Sequence, residues 1–150
     1  MKIRADEHVS PEIVDAVCRI ILSPTLKFDH VYDAGQKGFA DVHWITKFAS
    51  DGGNAILTAD TDFIHKHPQV VAVFNTGMKV IHMPKKWGMA GGHLQASHIL
   101  AWWPRIETKL SEMRQRECFQ PEWNVSGETG QFKKVDIDFA KAHKEAKAAA

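Results

Sequence analysis

Cysteine is scarce: only Cys18 and Cys118 occur in 150 residues. They stand too far apart to resemble a metal-ligand spacing, so both read as reduced thiols of a cytoplasmic protein. No apolar run approaches the roughly 20 residues that span a bilayer, which argues against a membrane helix. "MKIRADEHV" carries charges where a secretion signal would need an apolar core. No segment repeats, no glycine-rich loop matches a phosphate cradle, and no Ser, Cys and His grouping points to covalent catalysis. Excess charge of one sign is also missing, since 19 Lys/Arg face 18 acids for a net +1. The total therefore carries no electrostatic argument for nucleic acid.

What is there is uneven. Residues 1–77 hold ten acids against seven Lys/Arg, whereas residues 78–118 hold seven Lys/Arg against three acids. An acidic part joined to a basic one suits a cation site beside a surface for an anionic partner, and it also suits plain scatter. Length and the 44% hydrophobic content allow a full core.

The chain begins with a short strand, "KIRADEHV", ending in Asp6 and Glu7. "SPEIVDAVCRIIL" follows as a helix with Ser10 as N-cap, Pro11 first, and Ile13, Val14, Val17, Ile20 and Ile21 as its inner face. "KFDHVYDA" predicts a second strand. Asp41 caps a helix whose inner stripe is Val42, Ile45, Phe48 and Ala49, stopped by Gly52 and Gly53. "NAILTADTDF" predicts the third strand, "PQVVAVFNTG" a helix and "MKVIHMP" the fourth strand. Strands alternating with helices imply βαβ units and a mainly parallel sheet. "KKWGMAGGH" reads as a glycine-rich loop, and about 94–116 as a long helix kinked near Pro104. "FKKVDIDF" alternates like a strand, and the alanine-rich end looks like a frayed helix.

In a parallel sheet all strand C-termini share one edge, where open α/β sheets hold their ligands. Asp6, Glu7, Asp41, Asp60 and Asp62 are thereby expected on one rim. Two carboxylates about 5 Å apart repel by roughly 3 kcal/mol at an effective dielectric near 20. A hard cation, Mg²⁺ or Mn²⁺, relieves this and can activate water for attack on a phosphoryl group. Singly, each acid has a plainer role: Asp41 as a cap, Asp60 or Asp62 in an Asx-turn, Glu7 as a solvated strand end.

"ADEHVSPEIV", "GFADVHWITKFASDGG", "ILTADTDF" and the glycine before "MKVIHMP" together resemble the compact PIN-like nucleases, relatives of the toxins of bacterial toxin–antitoxin pairs. The resemblance covers residues 2–84. It implies a three-layer α/β/α sandwich with a central, mainly parallel sheet, to which the long helix and tail are added. It also implies Mg²⁺- or Mn²⁺-dependent cleavage of single-stranded RNA. By matching motif, Asp6, Asp41, Asp60 and Asp62 are the catalytic and metal-binding acids, Glu7 the neighbour of the first, and Thr58 a hydroxyl that orients a carboxylate or water. His8 stands where an amide is expected, and Val42 and His43 where a further acid is common. The expected organisation is a PIN-like domain over 1–118 and a C-terminal extension over 119–150.

Beside the rim, His8 could meet substrate phosphate, and Lys85, Lys86 and Arg105 could touch an RNA backbone. Trp87, Trp102, Trp103 and Trp123 could stack on bases, or anchor a core or a homodimer. His65 with His67, and His93 with His98, are poorly spaced to share a helix face. The leading expectation is thus a cytoplasmic endoribonuclease with an RNA substrate and an antitoxin-type partner. The alternatives are a non-catalytic RNA- or protein-binding module that retains the fold, and a phosphohydrolase using Asp60 as nucleophile.

Overall fold

The computed structural model describes residues 1–36, 38, 40–124 and 131–150. One sheet contains β1 (Lys2–Ala5), β2 (Lys27–His30), β3 (Ala55–Thr58), β4 (Lys79–His82), β5 (Cys118–Pro121) and β6 (Phe132–Val135). Its order is β2-β1-β3-β4-β5-β6, parallel from β2 through β5 and antiparallel only at β6. Side chains alternate across the pleat and feed two helix layers. Ala55, Leu57 and Ile81 face a core shared with α1 (Pro11–Ile20) and the long α5 (Gly92–Glu112). Ile56 and Val80 face the opposite core, with α2 (Asp41–Ser50) and α3 (His67–Thr76). The fold is the expected α/β/α sandwich.

The helix faces differ in detail from expectation. Ile13, Val14 and Val17 of α1 are buried, but Ile20 is 69% exposed. In α2 the inner residues are Trp44, Ile45 and Phe48, while Val42 points outward. Asp41 is not the cap: Ala40 is, and Asp41 is the first helical residue. Gly77 ends α3 at φ 74°, a left-handed position that glycine accepts without strain.

Beyond β4 the expected loop is a helix, α4 (Lys85–Met89). Trp87 anchors it: the ring is fully buried, and Trp87 exchanges hydrogen bonds with Gln95, donating from Nε1 to the Gln95 carbonyl and accepting from Gln95 Nε2. α5 continues through Pro104 for 21 residues. Trp102 and Trp103 are both fully buried within the chain, Trp103 stacked on Phe28 at 4.8 Å. This pair offers no dimer surface, and with Trp87 it serves the core rather than base stacking.

Among the described residues beyond 118 the same sheet continues: β5 lies between β4 and β6, and α6 (Phe139–Ala149) covers α3. The tail is docked, with Phe139 and His143 packed on Phe74. Among the described residues no helix is long and apolar enough to cross a membrane.

β1 is followed by a helix on one face of the sheet, and β3 by a helix on the other. The crevice between their C-terminal ends is a topological switch point, the usual ligand position of such sheets. A second switch follows β4, whose connection through α5 returns to the α1 face. Since β3 to β4 and β4 to β5 step the same way across the sheet but over opposite faces, these two crossovers have opposite hands.

Candidate active site

Two buried carboxylates mark the switch point. Asp6 follows β1 and is 3% exposed; Asp60 lies two residues beyond Thr58, the last residue of β3, and is 8% exposed. The Asp6 amide donates to the Leu57 carbonyl, which continues the β1–β3 pairing one step and fixes the height of Asp6 at the level of Thr58. Thr58, fully buried, links the two acids: its hydroxyl donates to Asp6 Oδ2 and accepts from the Asp60 amide at 3.1 Å. Asp6 Oδ1 accepts from the His8 amide at 3.0 Å, and Asp60 Oδ1 from the Asp62 amide at 3.0 Å. Both turns are thus tied down by carboxylates that accept from the backbone two residues on.

The neutralising charges come from His8 and Lys66. His8 Nδ1 lies 3.8 Å from Asp6 Oδ2, and Lys66 Nζ 3.6 Å from Asp60 Oδ2. The Asp6 carboxylate, with Asp60 and Glu7 adding their charge, raises the His8 pKa to about 9 against the opposing effect of partial burial. His8 is therefore an imidazolium at neutral pH. Glu7 itself is exposed.

His82, at the end of β4, was not signalled by motif or spacing. It is 6% exposed, its Nε2 donates to the Asp60 carbonyl at 2.8 Å, and its Nδ1 accepts from Gln120 Nε2 at 3.1 Å. Those partners require the neutral ring, and burial lowers its pKa in agreement. The available signal was its position: in register, Thr58 pairs with His82, so a polar residue ending β4 had to reach this rim.

The other expected acids stand apart. Asp41 has each oxygen engaged, Oδ1 by Trp44 Nε1 at 2.9 Å and Oδ2 by Gln69 Nε2 at 2.8 Å. It lines an open groove with His65, Lys66 and Gln69 rather than contacting Asp6. Asp62 is exposed and precedes the 3₁₀ turn Phe63–His65. Among the described residues no three His, Cys, Asp or Glu side chains form a group able to hold a metal. The expected four-acid cluster is thus an Asp6–Asp60 pair, with Asp41 and Asp62 outside it.

That pair still has the chemistry for a water-rich hard cation. A carboxylate has about four lone-pair sites, and Asp6 and Asp60 leave some of theirs unused. Mg²⁺ is commonly held by one or two carboxylates and keeps several waters. The residues fit such an ion on that basis, with His8 and Lys66 as the cations it would compete against.

Lys85 and Lys86 are exposed on α4, at the same edge but beyond β4. Lys86 Nζ stands 5.5 Å over the Trp123 ring, which is stacked on His98 at 4.8 Å. Neither lysine contacts the acidic pair among the described residues.

No curated protein and no solved structure matches the chain. A family model described as a PIN like domain matches residues 1–85, more than half of the chain and the part that carries both carboxylates. PIN domains are generally nucleases. With a sheet of the matching type and its acids at the switch point, the chain belongs to the PIN-like domain family.

Proposed function

We propose that the protein is a Mg²⁺- or Mn²⁺-dependent endoribonuclease that hydrolyses RNA phosphodiesters. One observation carries the reading: two carboxylates, nearly buried and joined through Thr58, stand together where the sheet switches direction. Burying such a pair is costly even with His8 and Lys66 beside it, and a nuclease fold supplies the reason to keep both acids. Asp6 and Asp60 would hold the ion, while Asp62 and Asp41 are assigned outer places, reached through water. The ion would supply Lewis acidity and a lowered pKa for bound water.

This chain's own residues do the rest. Thr58 orients Asp6, and the His82–Gln120 pair fixes the backbone at Asp60. The His8 imidazolium and Lys66 stand ready to meet phosphate oxygens once the carboxylates turn to an ion. Lys85 and Lys86 extend the positive edge. The kinship with toxin nucleases adds an antitoxin-type protein as the expected partner and the cytoplasm as the location. A homodimer would use a face other than the buried Trp102–Trp103 pair.

A second reading, a non-catalytic RNA- or protein-binding module, is favoured by the same salt contacts: His8 and Lys66 already neutralise the two acids without a metal. Cleavage of single-stranded RNA with Mn²⁺ separates the two. The nuclease reading expects cutting by the parent and none by folded Asp60→Asn. A variant that cuts like the parent refutes it.

A further inference from the structure

The basic excess of residues 78–118 is not used by the acidic pair. Part of it lies in a groove of about 560 Å³ between α5 and β6, lined by Arg105, Thr108, Lys109, Gln131 and Phe132, with Glu112 at one end. Arg105 and Lys109 are four apart on α5 and so share a face. Neither pairs with a carboxylate among the described residues. Both cations are backed by rings instead: the Arg105 guanidinium lies 5.2 Å over Trp102, and Lys109 Nζ 3.8 Å over Phe119. Arg105 Nη1 is buried and has no hydrogen-bond partner, as is Trp102 Nε1 on the turn before. A buried donor left unmet is destabilising, the more so when charged, so Arg105 Nη1 is left wanting an acceptor.

The register places the Phe132 end of the groove relative to the acids. The Lys109 end lies toward the strand starts, where Lys79 of β4 donates from Nζ to the Leu110 carbonyl. Leu57 pairs with Ile81, Ile81 with Phe119, and Pro121 with Phe132. Asp6, one residue past the partner of Leu57, and Phe132 therefore lie at nearly the same height on the C-terminal edge. They are separated by β3, β4 and β5, about 19 Å at the usual strand spacing. Lys86 and Trp123 stand on that same edge.

We propose that Arg105 and Lys109 form a phosphate-binding subsite for a single-stranded RNA whose scissile phosphate lies at Asp6 and Asp60. The assignment of RNA rests on the nuclease reading; the anion site rests on the groove. Cations on aromatic supports beside further rings suit a flexible strand, whose phosphates need placed charges and whose bases accept stacking. A trinucleotide at the acids is too short to reach the groove, whereas a dodecanucleotide extends to it.

The test is binding of fluorescent oligouridylates, a trinucleotide and a dodecanucleotide, to the full chain with Ca²⁺ in place of Mn²⁺. The parent is compared with Arg105→Gln/Lys109→Gln over a salt series. Two lost phosphate contacts lower the magnitude of the log Kd against log salt slope by about 1.4 for the dodecanucleotide. The variant's affinity then falls about sevenfold less than the parent's between about 50 and about 200 mM salt. The trinucleotide is unaffected. Arg105→Lys, which keeps the charge, restores most of the slope, and Lys109→Gln alone removes half of the difference, should the double variant misfold. An unchanged slope for the dodecanucleotide overturns the subsite, as does an equal effect on both lengths or no RNA binding by the parent. Tighter binding of an acidic peptide than of RNA also overturns it, in favour of a protein partner. Binding through the groove without any Mn²⁺-dependent cutting would sink the nuclease reading and leave the subsite standing.

Discussion

The two halves of the sheet end at one level but in opposite chemistry. β1 and β3 lead into Asp6 and Asp60, a buried anionic pair joined by Thr58. β4 ends in His82, which is neutral and hydrogen-bonded to Gln120 of β5, with Lys86 and Trp123 on the same edge and the Arg105–Lys109 groove along the adjoining α5–β6 face. The contrast follows from topology. Parallel strands deliver all their C-termini to one edge, so a single edge carries buried acids in one half and neutral polar side chains in the other. They are joined by the β3–β4 ladder and, at the rim, by the Met83 amide donating to the Thr58 carbonyl and His82 Nε2 donating to the Asp60 carbonyl. The family match covers the whole acidic half and β4, and ends at residue 85.

The sharpest way to break the contrast is to neutralise its acidic side. Asp60→Asn is expected to lower Mn²⁺-dependent RNA cleavage by at least about a hundredfold, beyond the 10–100-fold range for removing a group that merely orients a ligand. Gel assays of parent and variant, each shown folded by circular dichroism, provide the check. Thr58→Val comes next. It keeps the side-chain shape but removes the hydroxyl that holds Asp6, and a loss of about 10–100-fold in Mn²⁺ affinity is expected, readable by calorimetric titration. Affinity equal to the parent's would show that Asp6 needs no such support.

The support behind His82 is tested by Gln120→Leu. It deprives His82 Nδ1 of its donor inside the rim, and destabilisation by about 1–3 kcal/mol in urea unfolding is expected. A neutral result would mean that His82 keeps its place without Gln120.

The smallest effect is electrostatic. The His8 pKa is raised from 6.5 to about 9 in the folded protein, so its contribution is complete below the unfolded value and disappears as pH rises through the folded one. In metal-free buffer the parent is expected to lose stability between about pH 6.5 and 9 relative to His8→Asn. The loss is expected to stay under about 1 kcal/mol, since the half-exposed ring is screened by solvent. NMR titration of His8 gives the midpoint directly.

The sequence revealed the acidic half better than the basic one, for physical reasons. Asp60 closes an apolar run and Asp6 a short strand pattern, and a strand dislikes Asp, so their place at strand ends could be read locally. Asp41 misled because a helix-opening acid looks like a cap; its partner Gln69 lies 28 residues away and leaves no local trace. β5, "CFQP", has neither alternation nor length, and becomes a strand only by pairing with β4 and β6. α4 contains Gly88 and owes its shape to the insertion of Trp87 into the core, a tertiary effect that overrides propensity. His82 belongs to no motif and has no local spacing signal, and only the strand register brings it to the rim.

The central claim is that Asp6 and Asp60 form an ion site, and thermal unfolding with and without Mn²⁺ tests it most directly. At a hundredfold excess over its dissociation constant, one bound ion adds about 2.7 kcal/mol. For a chain of this length that raises Tm by about 8 °C. The account predicts this rise in the parent and its disappearance in Asp60→Asn. Identical midpoints with and without Mn²⁺ in the parent, or a rise that survives in the variant, would contradict it.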